Sequence, residues 1–135
     1  MFRNVKTEQG FTLIEVLVVV VIVGILAAMA TVSFGSGSQQ AYKVTLQTDL
    51  RNIAMAQAAY IEQNFAETGV ARYASNVSDL PVNVSKGVTV RMRGNRNGWS
   101  ARAVHSRTSG LRCAVVYGSV NAFAPASEEG KIACD

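Results

Sequence analysis

A chain of 135 residues has room for one domain, and 49% apolar residues with a mean hydropathy of +0.18 is high for a small soluble protein. A net charge of +4 permits contact with nucleic acid or anionic surfaces without requiring it. One histidine and two cysteines without a CxxC pair argue against a metal centre. No nucleophile–base constellation supports an enzyme, and no cofactor is expected.

The apolar excess is concentrated near the N-terminus. Residues 1 to 10, MFRNVKTEQG, form a short polar leader with Arg3 and Lys6. Residues 11 to 34 follow as an apolar run, and 16 to 42 carry no charged side chain. About 20 apolar residues suffice to cross a hydrocarbon core of roughly 30 Å. Positive charges ahead of such a run favour a cytoplasmic N-terminus and an exported remainder. Gly35-Ser36-Gly37-Ser38 then interrupts the pattern, as a joint or a melted stretch of a longer helix.

Apolar residues next recur at helical spacing: Tyr42, Leu46, Leu50, Ile53, Tyr60, Ile61 and Phe65. An amphipathic helix is therefore expected up to residue 65, its stripe covering a sheet. Residues 66 to 86, with Gly69, Pro81 and Asn83, read as a connecting loop. Val88, Val90 and Met92 alternate with Thr89, Arg91 and Arg93, the period of a half-buried strand. A turn containing Asn97-Gly98 follows, then a strand to residue 105 with Trp99, Ala101 and Ala103 on one face, and a third strand over 113 to 117. The tail from 118 to 135 has weak periodicity, and Trp99 is expected in the core. Cys113 and Cys134 are best read as one disulfide in an oxidising compartment, with two free thiols as the alternative.

The segment Gly10-Phe11-Thr12-Leu13-Ile14-Glu15, preceded by a basic leader and followed by an apolar helix, resembles the prepilin peptidase motif of type IV pilins and type II secretion pseudopilins. The resemblance is sharp over about residues 3 to 34, where Gly24 also matches. It implies cleavage after Gly10 by a prepilin peptidase, methylation of the amine so released on Phe11, and assembly with identical or related subunits. An acid within an apolar helix costs on the order of 3 kcal/mol on insertion scales, so Glu15 needs a reason. The resemblance supplies one: Glu15 neutralises the terminal amine of a neighbouring subunit and sets axial register. A bond to its own Phe11 amine, or snorkelling to headgroups, stays open. Glycine at position 10 offers a peptidase an unhindered backbone.

Two features depart from this pattern. Ala28-Met29-Ala30 fits an ordinary signal peptidase site, which would release a soluble binding module beginning at Thr31. Val32 stands where type IV pilins usually carry proline. The Cys113–Cys134 pair, by contrast, resembles the C-terminal disulfide loop of many pilins. Glu128, Glu129 and Asp135 are too few and scattered for the calcium loop usual in major pseudopilins, so no metal is expected.

Arg91, Arg93 and Arg102 should share the outer sheet face, with Arg96, Arg107 and Arg112 in or beside turns. Such a stripe is a candidate DNA contact, with a solvated face as its ordinary reading. His105 has no catalytic or metal partner and reads as a strand-end residue. The expected fold is α+β: a long N-terminal helix, membrane-spanning in its first half (11–34) and amphipathic in its second (35–65). That second half packs on a small antiparallel sheet within 66–135, closed by a disulfide. The expected function is a structural subunit of a type IV pilus, with a type II secretion pseudopilin as the alternative. The precursor would sit in the inner membrane and the assembled form in an envelope-spanning or extracellular filament.

Overall fold

A computed structural model describes the backbone at residues 10–31 and 34–135, and side chains outside 30–36. The leader up to residue 9 and the Val32 position lie outside the described residues. Two compact units divide at Gly37/Ser38. In the first, helix α1 spans Leu13–Thr31; helix α2 spans Phe34–Thr68 and lies largely in the second. Gly35 to Ser38, read from sequence as a possible interruption, are helical.

Among the described residues no helix is long and apolar enough to cross a membrane. Within α1, however, Glu15 is the single charged residue, and its large apolar side chains from Leu13 to Met29 are all exposed. An apolar surface on every side of a helix has to be covered by something other than water.

The second unit sets α2 on a four-stranded antiparallel sheet in the order β1-β2-β3-β4. These strands are β1 Val88–Gly94, β2 Gly98–His105, β3 Arg112–Gly118 and β4 Ala133–Cys134. Register places Val90 opposite Ala103 and Ala103 opposite Cys113, and it aligns Met92, Ala101 and Val115 in the next row. These residues form the face turned to α2. Leu46, Leu50 and Ile53 are fully buried against them together with Trp99, which stacks on Tyr117 at 5.1 Å between ring centroids. Each buried Leu or Ile stabilises the unit by roughly 1.5–3 kcal/mol.

The helical stripe departs from expectation at three residues. Phe65 is 58% exposed, whereas Asp49 and Gln57 are buried on the same face as Leu46 and Ile53. Their polar atoms are satisfied. Asp49 accepts from both the backbone N–H and the hydroxyl of Ser85, each at 3.0 Å. Gln57 donates to the Ala74 carbonyl at 2.8 Å and accepts from the Ala74 N–H at 2.9 Å. These two side chains thus tie the loop after α2 to the helix, the Gln57–Ala74 pair in a fully buried setting and the Asp49–Ser85 pair in a partly buried one. Gln57→Leu leaves both Ala74 groups buried without partners. At about 1–3 kcal/mol for each orphaned group, a loss of about 2–6 kcal/mol is expected by denaturant unfolding of the detergent-solubilised chain.

Asn95 governs the β1–β2 turn. Its side-chain oxygen accepts from the N–H groups of Asn97 (2.7 Å) and Gly98 (2.8 Å). The primed hairpin turn suggested by Asn97-Gly98 would need a positive φ at Asn97, and no described non-glycine residue has one. Gly98 instead begins β2, where a Cβ would strike the Tyr117 carbonyl.

The tail is more ordered than its sequence suggests. It crosses the other face of the sheet, where Phe123 and Ala126 are buried with Ala114 and Val116 in a second small core. Buried Ser100 anchors it, donating to the Val115 carbonyl (3.0 Å) and accepting from the Phe123 N–H (3.1 Å). At the end of the tail Cys134 pairs with Cys113 in register and is disulfide-bonded to it. Beside them Arg112 forms a fork-like ion pair with Asp135, the shorter contact at 2.6 Å. Hydrogen bonding and then charge from Asp135 raise the Arg112 pKa above its ordinary value.

Candidate processing and assembly site

Gly10, Phe11 and Thr12 are non-helical and lead directly into α1. The Thr12 carbonyl accepts from the N–H groups of Glu15 (3.1 Å) and Val16 (3.3 Å), which makes Thr12 the N-cap and Glu15 the third helical residue. Thr-x-x-Glu is the spacing of a capping box. Here the two side chains meet directly, the Thr12 hydroxyl lying 3.5 Å from a Glu15 carboxylate oxygen, at the outer limit of a hydrogen bond. The carboxylate also faces the partial positive charge of the helix N-terminus, worth about 0.3–1 kcal/mol at an exposed site.

Gly10, Phe11, Thr12 and Glu15 line one open cleft of ≈ 480 Å³. Phe11 is 83% exposed, and Glu15 is exposed as well. A Cβ at Gly10 would meet nothing within 4 Å, and Gly10 does not have a positive φ. Among the described residues, therefore, neither crowding nor backbone conformation requires glycine there. Its lack of a side chain is available to an outside partner. Gly24 on α1 is equally open.

Residues 5–31 match the family described as the prokaryotic N-terminal methylation motif. This N-terminal segment is prepilin-like. Over 61 residues it is 44% identical to the type II secretion system core protein G of Pseudomonas aeruginosa, an alignment covering 45% of this chain and 43% of that protein. The chain thus matches less than half of that relative's length. No solved structure matches it.

The N-terminal candidates Gly10, Phe11 and Glu15 come together in this cleft, while the disulfide lies in the other unit. Sequence reading overlooked Thr12, although the Thr-x-x-Glu spacing was a visible signal for it.

The three arginines also meet. Arg91 is the register partner of Arg102, and Arg93 lies two residues along on the same face. That face is not simply solvated. The Arg93 guanidinium lies 4.0 Å and that of Arg102 5.3 Å from the centre of the Phe123 ring. His105 ends β2 as expected. It is buried, accepting the Arg107 N–H on Nδ1 (3.0 Å) and packing against Tyr42.

Proposed function

We propose that this chain is a structural subunit of a type IV pilus. It is made as an inner-membrane precursor with a cytoplasmic N-terminus. Prepilin peptidase cuts it between Gly10 and Phe11, and the Phe11 amine is methylated. The subunit then polymerises through its N-terminal helix. The observation that carries this reading is the shared cleft of Gly10, Phe11 and Glu15 at the start of an apolar helix, inside the matched methylation motif. Lipid before assembly, and neighbouring subunits afterwards, would cover the exposed apolar side chains of α1. Both require little more than close van der Waals packing.

A second reading, a pseudopilin of a type II secretion system, is favoured by the identity to the Pseudomonas aeruginosa core protein G. The disulfide-closed tail favours the pilus. Mass spectrometry of the mature N-terminus tests the processing step common to both. A methylated Phe11 is expected. An N-terminus at Thr31 overturns both in favour of a conventionally exported binding module.

A further inference from the structure

We propose that Arg91, Arg93 and Arg102, organised by Phe123, form a binding site for the phosphodiester backbone of nucleic acid. Like charges set directly opposite one another on neighbouring strands repel, yet β1 and β2 place Arg91 against Arg102 with Arg93 adjacent. Among the described residues none of the three has a carboxylate partner. The two ion pairs among the described residues are Arg112–Asp135 and Lys131–Glu128. Part of the compensation comes from the tail, which delivers the Phe123 ring to the guanidiniums of Arg93 and Arg102. The Ser100–Phe123 hydrogen bond and burial against Ala114 and Val116 hold that ring in place. Arg93 spends one weak donor on the Asn121 carbonyl at 3.4 Å, and no hydrogen bond engages the side chain of Arg91 or Arg102 among the described residues. The remaining N–H edges suit bidentate contact with a phosphate.

The same geometry selects among anions. Beyond Val70 no large hydrophobic side chain is exposed among the described residues, so this face has nothing to insert into a lipid surface. Phe123 is buried beneath the arginines and presents no free ring for stacking a base. Recognition therefore rests on the backbone, is indifferent to sequence, and weakens with salt. Three phosphate contacts give a slope of log affinity against log salt of roughly −2 to −3 on duplex DNA.

The test is fluorescence anisotropy of a labelled random-sequence DNA duplex with the full, detergent-solubilised chain across a salt series. It needs no filament, so its outcome is separate from that of the assembly proposal. Binding with the stated salt slope is expected, with at least tenfold weaker affinity for the R91A/R93A/R102A variant. Phe123→Leu, which leaves net charge unchanged, is expected to weaken binding several-fold while Phe123→Tyr retains it. Thermal melts identify variants that have lost their fold, and R91A, at an exposed strand position, then serves as the milder arm with a several-fold loss. Unchanged affinity in folded arginine variants overturns the site. Full affinity in folded Phe123→Leu overturns its organisation by the ring. Binding to phosphatidylglycerol vesicles but not to the duplex overturns the choice of ligand.

Discussion

Replacing Glu15 by Ala or Val is expected to leave cleavage after Gly10 largely intact and to stop incorporation of the chain into filaments. The reason lies in the balance of two small local effects against one large collective one. Glu15 does little for its own helix. Its contact with Thr12 is 3.5 Å long, and a carboxylate at an exposed helix N-terminus contributes about 0.3–1 kcal/mol. The substitution therefore leaves α1 helical. Placing that carboxylate in an apolar phase costs about 2.5–3.5 kcal/mol on insertion scales, a penalty the substitution removes. Insertion should improve slightly, so a loss of filaments cannot be a loss of membrane targeting.

In the proposed function Glu15 acts in polymerisation. From Leu13 to Met29 it is the single charged residue of α1, and apolar helix surfaces pack without a preferred axial register. In the proposed filament, an acid matched to the amine released at Phe11 on a neighbouring copy would define that register, and every copy would repeat the match. Comparing processed chain in whole cells with chain recovered in sheared filaments reads the effect. Normal filaments from the Ala variant would remove Glu15 from assembly. Glu15→Gln separates charge from hydrogen bonding, and it is expected to fail like Ala because the amine needs an opposite charge.

The second large effect concerns the disulfide. The double replacement of Cys113 and Cys134 by Ser is expected to destabilise the second unit by about 3 kcal/mol, as for a bridge closing a loop of this size. In a domain of this size the melting temperature then falls by on the order of 10–20 °C. The local structure explains why other ties do not compensate. β4 has two residues; apart from the bridge, Gln47 makes a weak contact with the Cys134 sulfur (3.7 Å), and Asp135 just beyond the strand is held by two backbone hydrogen bonds and an exposed ion pair, all to Arg112. Asp135→Ala should accordingly change the melt far less, because water already screens that pair. Equal losses from the two substitutions would mean that the ion pair, not the bridge, holds the tail.

Much of the N-terminal site was legible because its parts are contiguous in the chain. Gly10, Phe11 and Glu15 fall within six residues, and an acid interrupting an apolar run is visible without coordinates. Thr12 was legible too, since a capping box is a spacing rule. The strands were readable from alternation in Val88, Val90 and Met92, and the paired cysteines from their number and setting.

The second unit shows where such reading stops. Periodicity says which side of a helix or strand is apolar, but not which polar residue on that side finds a partner. Asp49 and Gln57 are buried because Ser85 and Ala74 reach them from a loop distant in sequence. Alternation also implies that a sheet has one dry face. The ordinary reading of the arginine stripe was therefore a solvated face, yet the tail crosses that face and brings Phe123 beneath Arg93 and Arg102.

Local chemistry along the chain thus marks the methylation motif, the apolar helix and three of the strands, because each depends on neighbours a few residues away. The arrangement of the buried polar ties and the arginine cluster depends on long-range contacts between segments with weak patterns of their own. Folding assigns those partners: the buried polar groups of Gln57 and Ser100 must be satisfied once water is excluded, and the loop and the tail are the segments that satisfy them.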